Sequence, residues 1–86
     1  MDQYTIIKYP IASEKSIRLM ESENKLLFRI DMKAKKTDVK NAVESLFKTK
    51  VTKVHTLVTQ NGEKRAYVTF SKETPAIDIA TQLGLL

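Results

Sequence analysis

"VTKVHTLVTQNGEKRAYVTF" (residues 51–70) holds two β-rich runs, 51–59 and 64–70, joined around Asn61-Gly62. How they are joined decides which face of the chain is buried. A two-residue Asn-Gly turn pairs Val58 with Arg65 and Leu57 with Ala66. That sets Ala66, Val68 and Phe70 on the same face as Lys53 and His55. An odd-length loop, with Gly62 in the left-handed conformation, aligns Val54, Thr56 and Val58 with Ala66, Val68 and Phe70 instead. A one-residue slip exposes the entire apolar face, so the odd loop is expected. The outer face then displays Lys53, His55, Leu57, Arg65 and Tyr67.

Upstream, "LLFRIDM" (26–32) alternates Leu26, Phe28, Ile30 and Met32 against Arg29 and Asp31, a strand with one buried face. Thr37 is placed to cap a helix in which Val39, Ala42, Val43, Leu46 and Phe47 form an apolar stripe. Lys36, Lys40, Asn41, Glu44 and Lys48 take its outer side. "YTIIKYPI" (4–11) reads as a short edge strand ending near Pro10. Ser13 caps a short helix with Glu14 in its first turn and Ile17 and Met20 inward, fading at "ESEN". Thr74 caps a last helix with Pro75 first and Gly84 just past its end; Ile77, Ala80 and Leu83 face inward and Leu85 closes the end.

The order is strand, helix, strand, helix, strand, strand, helix. A split crossover inserts "KRAYVTF" between "LLFRIDM" and "VTKVHTLVT", and the N-terminal strand takes the remaining edge. The expectation is an α+β fold: a four-stranded antiparallel sheet in order 1-2-4-3 with packed helices, as a single domain over 1–86. No repeat, linker or low-complexity segment interrupts it.

The charge is unevenly placed. Of a net +5, the segment 33–53 carries seven lysines (Lys33, Lys35, Lys36, Lys40, Lys48, Lys50 and Lys53) against Asp38 and Glu44, so the rest of the chain is neutral. A local excess of this kind is the footprint of phosphate binding, set against its plainer reading as a solubilising surface. Lys33, Lys35 and Lys36 lie in a strand-to-helix connection, where flexible ammonium groups reach several phosphates. Arg65 and Tyr67 add a planar donor fork and a stacking surface beside Lys53 and His55. The apolar stripe of the 37–48 helix is needed for the core, which leaves none for a lipid surface.

Catalysis has no visible constellation. His55 is the only histidine, there is no cysteine, and both glycines serve turns or caps. No metal, cofactor or small-molecule substrate is expected. No apolar run approaches the roughly 18 residues needed to cross a bilayer, and "MDQYTIIKYP" lacks the shape of a signal peptide. The expectation is a soluble cytoplasmic protein without direct membrane insertion.

"AYVTF" (66–70) matches the end of the RNA-recognition-motif signature, with Tyr67 at one stacking position but Arg65 where a second aromatic belongs. The fourth strand must also come from the N-terminus. A free-standing RNA-recognition-like protein is therefore the alternative reading.

Several segments, in order and over nearly the whole chain, carry a closer likeness: "IIKYPIASEKS" (6–16), "NKLLFRIDMKAKK" (24–36), "VKNAVESLF" (39–47), "VTKVHT" (51–56), "NGEKRAYVTF" (61–70) and "AIDIATQLG" (76–84). Through them the chain resembles the universal large-subunit ribosomal proteins of the peptide exit tunnel rim, the L-twenty-three family, in its archaeal form. The resemblance implies binding to large-subunit ribosomal RNA and contact with neighbouring ribosomal proteins. It also implies a docking surface for the signal recognition particle and the protein-conducting channel. It carries RNA contacts to Lys8, Tyr9, Ser13, Lys15, Lys33, Lys35, Lys36, Lys64 and Arg65. The chaperone-docking glutamate of the family's "SEK" segment falls on Glu14. The chain has His55 where the family usually has asparagine. Only "TQNGEK" stands where bacterial members extend a long hairpin, which implies a place at the rim rather than deep in the tunnel.

Overall fold

The computed structural model describes residues 3–85; residues 1, 2 and 86 of the expected domain lie outside the described residues. The elements are α1 (Gln3–Ile6), β1 (Ile7–Pro10), α2 (Glu14–Glu23), β2 (Lys25–Ile30), α3 (Lys36–Phe47), β3 (Val51–Val58), β4 (Lys64–Phe70) and α4 (Ala76–Gln82). The sheet is antiparallel in order β1-β2-β4-β3, as the split crossover requires.

The hairpin takes the odd loop. Val54 faces Val68, Thr56 faces Ala66 and Val58 faces Lys64. The Thr59 N–H donates to the Glu63 carbonyl at 2.8 Å, which leaves Gln60, Asn61 and Gly62 as the loop, with Gly62 at φ +79°. Below it, Thr52 bulges out: Val51 pairs with Phe70 and Lys53 with Thr69. The extra residue returns Val51 to the apolar face, where it is buried.

One core covers one face of the sheet. Leu26, Phe28, Ile30, Ala66, Val68 and Phe70 meet Met20 of α2, Val39, Ala42 and Val43 of α3, and Ala76, Ile79 and Ala80 of α4. Phe47 lies over Phe28, with ring centroids 6.2 Å apart. Since all the helices bury their apolar stripes there, the described residues leave the opposite face without a helix.

Local chemistry shifted several expected positions. Tyr4–Ile6 belongs to a helical turn rather than to β1, and Ile6 joins the core beside α3. Strand β2 ends at Ile30 because the Asp31 carboxylate accepts from the Lys33 N–H at 2.8 Å, which turns the chain and leaves Met32 exposed. Helix α3 starts at Lys36, not after Thr37. The N-cap is Lys35, which makes no side-chain cap bond, and Asp38 in the first turn reaches back to accept from the Lys35 N–H at 2.9 Å. Glu44 turns from the outer side to accept from the Val51 N–H at 3.0 Å, tying the end of α3 to β3.

Helix α2 opens on a reciprocal cap between Ser13 and Ser16 and runs through "ESE" to Glu23. Its phase buries Met20 and leaves Ile17 exposed. Helix α4 is capped from another element: Asn24 Oδ1 accepts from the Ala76 N–H at 2.6 Å. That fixes its start after Pro75 rather than Thr74, so Ile79 is buried in place of the exposed Ile77. Gly84, at φ +74°, ends the helix, and the Leu85 N–H returns to the Ala80 carbonyl as Leu85 packs on the core.

Candidate nucleic-acid interface

The two registers that bury the apolar face dictate what the other face presents. Across the strands it reads in rows: Tyr9, Arg29, Arg65, Leu57; then Leu27, Tyr67, His55; then Lys25, Thr69, Lys53. Four of the sequence-derived candidates, Lys53, His55, Arg65 and Tyr67, therefore share one surface with Tyr9. The His55 and Tyr67 rings lie 6.5 Å apart at 29°, a flat patch at the middle of the face. Leu27 is buried beside them, which stiffens the floor of the patch.

Arg29 was visible in the sequence only as an outward position, and Glu63 only as a loop residue. The fold makes both part of the site. Arg29 and Arg65 are directly opposed across β2 and β4. Arg29 Nη1 donates to the Tyr9 hydroxyl at 3.0 Å, and its guanidinium sits 5.8 Å from the Tyr9 ring centroid. The bond to Tyr9, with the charge of Glu63 as a smaller contribution, pushes the Arg29 pKa further up, so it stays charged. Glu63 Oε1 lies 3.4 Å from Arg29 and Oε2 lies 3.1 Å from Arg65. The signal that could have found the trio was the parity of Arg29 combined with the order of β2 and β4.

The lysines divide by use. Lys33 and Lys35 are exposed on the β2–α3 connection, and Lys36 is exposed at the first position of α3. Lys64 acts as their clamp: its Nζ donates to the Ala34 carbonyl at 2.7 Å and reaches the Met32 carbonyl at 3.4 Å. Lys36, Thr37 and Lys40 of α3 border a shallow groove with Thr52, Lys53 and Val54 of β3, an edge strand. The groove brings one member of each lysine cluster together, although the clusters flank opposite ends of α3 in sequence. Lys48 forms the left-handed C-cap of α3 at φ 51°, and Lys50 is exposed.

The N-terminal candidates are less concentrated. Lys8 is exposed on β1, Ser13 uses its hydroxyl in the α2 cap, and Lys15 is exposed in the first turn of α2. Glu14 pairs with Arg18 at 2.6 Å on the solvent side of that helix. Among the described residues no group of histidine and carboxylate side chains could hold a metal, and no helix is long and apolar enough to cross a membrane.

These features define a class: an α+β split-crossover scaffold with its helices on one sheet face and a cationic, aromatic surface on the other. Residues 5–79 match the family model described as Ribosomal protein L23. The chain is 51% identical over 85 residues to the large ribosomal subunit protein uL23 of Methanococcus aeolicus, covering 99% of each chain. It is 42% identical to the protein of the same name from Methanococcus vannielii, again covering 99% of each. The chain belongs to the ribosomal protein L23 family, in its archaeal form. Membership in that family makes it a structural protein of the large ribosomal subunit and not an enzyme.

Proposed function

We propose that this protein, as a single domain, anchors itself to large-subunit ribosomal RNA at the rim of the peptide exit tunnel, on cytoplasmic ribosomes. The contacts are made by Lys33, Lys35 and Lys36, by the groove with Lys53, and by the face of Tyr9, His55, Arg65 and Tyr67. The observation that carries this reading is the clamped lysine loop. Asp31 and Lys64 hold its backbone, and three ammonium groups remain exposed. A fixed loop loses little entropy on binding, so its charges act together on a phosphate backbone. Lys8, Ser13 and Lys15 extend the footprint along β1 and α2. Glu14 and the exposed side of α2 offer the docking surface for the signal recognition particle and the protein-conducting channel, beside neighbouring ribosomal proteins.

The test is a titration of protein-free large-subunit ribosomal RNA from Methanococcus aeolicus at several salt concentrations. About six phosphate contacts give a log–log salt slope of about −5, and each lysine removed reduces it by about one. Replacing Lys33, Lys35 and Lys36 together by alanine is expected to weaken binding and flatten the slope by about three, with the melting temperature unchanged. An unchanged affinity at low salt refutes the assignment.

A further inference from the structure

The arginine row of the open face poses a physical problem. Two like charges directly opposed across a ladder repel each other. Here Arg29 and Arg65 are such a pair, and a single carboxylate, Glu63, stands between them. The arrangement is a built anion site that the chain itself fills. The planar guanidinium forks are oriented, one by the Tyr9 hydroxyl and both by Glu63, and a fork of that kind donates to phosphate as well as to carboxylate.

Two details show that the carboxylate does not exhaust the site. The Nε atoms of both Arg29 and Arg65 are buried and have no hydrogen-bond partner. Glu63 is also free to leave. Its backbone is fixed by the loop, with its N–H on Thr59 Oγ1 at 3.2 Å and its carbonyl accepting from the Thr59 N–H at 2.8 Å. Departure therefore needs only a side-chain rotation, and the Glu63 side chain is already 28% exposed.

We infer that Glu63 is an internal stand-in for an RNA phosphate: it fills the site of Arg29, Arg65 and Tyr9 in the free protein and is displaced by a phosphodiester on binding. The inference rests on the RNA-binding reading and adds Arg29 to the interface. The exchange keeps the two arginines ordered before RNA arrives and makes that part of the interface cost the two internal ion pairs of Glu63.

The experiment titrates a ten-nucleotide oligouridylate into the wild type and into Glu63→Gln, with Glu73→Gln as a control for lost negative charge. Glu63→Gln is expected to bind about five- to tenfold more tightly than wild type, because no internal carboxylate has to be displaced, while both make the same phosphate contacts and keep about the same salt slope. Glu73→Gln is expected to change affinity by less than about twofold, and the gain of Glu63→Gln is expected to vanish when Arg65→Gln is added. Equal effects of the two glutamine variants, or a gain that survives Arg65→Gln, overturn the inference. Should Glu63→Gln melt early, Glu63→Asp keeps the charge at shorter reach and is expected to give an intermediate gain; no gain there counts against it. A readout without RNA separates the two claims. Pyrophosphate is expected to shift the Arg29 and Arg65 Nε–H resonances in Glu63→Gln but not in wild type. If the wild type fails to bind RNA while those signals shift, the RNA reading falls and the anion site stands. If pyrophosphate and an oligoglutamate shift them equally, the preference for phosphate is wrong.

Discussion

Replacing Asn24 by alanine tests how the helical layer is fastened to the sheet. Asn24 ends α2 in the left-handed conformation, at φ 58°. Its side-chain amide nitrogen lies 3.1 Å from the carbonyls of Phe70, Ser71 and Thr74, and its oxygen accepts from the Ala76 N–H at 2.6 Å. Two N–H groups serve the three carbonyls, so the side chain is worth three hydrogen bonds rather than four. At about 1 kcal/mol net for each, that is about 3 kcal/mol. Alanine in a left-handed position adds about 1 kcal/mol, since asparagine tolerates that region better. Water reaches part of this half-buried site and recovers some of the loss, so we expect about 3 kcal/mol in all. For a domain of this size that lowers the melting temperature by about 12–20 °C. Thermal and urea unfolding followed by circular dichroism measure it. Asn24→Gly relieves the backbone without restoring the bonds, and is expected to recover about 1 kcal/mol of the loss. A loss below about 1 kcal/mol for the alanine variant refutes the reasoning, because it means the four backbone groups find other partners.

Lys64→Ala is expected to weaken ribosomal RNA binding about as much as removing one of the loop lysines. It is also expected to speed hydrogen exchange of the Ala34 and Lys35 amides; unchanged exchange means the clamp is idle. Phe28→Ala, at a fully buried site, is expected to cost about 3–5 kcal/mol in a urea titration, and a cost under 1.5 kcal/mol contradicts the placement of the core under β2. Glu14→Ala breaks only an exposed pair with Arg18 and is expected to cost less than about 0.5 kcal/mol. Its RNA affinity stays at the wild-type value while ribosomes carrying it capture less signal recognition particle; equal capture removes Glu14 from the docking surface. Tyr67→Ala is expected to reduce RNA affinity by less than the triple lysine change. The reverse ranking, with marked sequence preference in the wild type, favours the RNA-recognition-like alternative.

What could be read from residue order alone follows a physical boundary. The hairpin register was legible because the wrong one exposes Ala66, Val68 and Phe70 together. The sheet order was legible because the two most apolar strands must be central. The positions that moved were decided by single polar groups. Asp31 cut β2 short of Met32, Asp38 tied the Lys35 N–H and drew the start of α3 back to Lys36, and Asn24, 52 residues away, set the phase of α4. The site divided along the same line. Lysine density and the alternation of β3 and β4 revealed Lys53, His55, Arg65 and Tyr67. The Arg29–Glu63–Arg65 cluster needs the β2–β4 register, a pairing of strands distant in sequence. The turning of Lys64 onto backbone carbonyls leaves no trace in local pattern, and Lys64 was offered as an RNA contact by the family resemblance alone.

Anchorage in the large subunit by ribosomal RNA, through the lysine loop, is the core of the proposed function. The most direct measurement is cosedimentation of the full chain with large ribosomal subunits in high-salt sucrose, with the Lys33, Lys35 and Lys36 triple alanine variant run beside it. The wild type is expected in the large-subunit peak and the variant depleted from it. A wild-type chain that stays at the top of the gradient contradicts it.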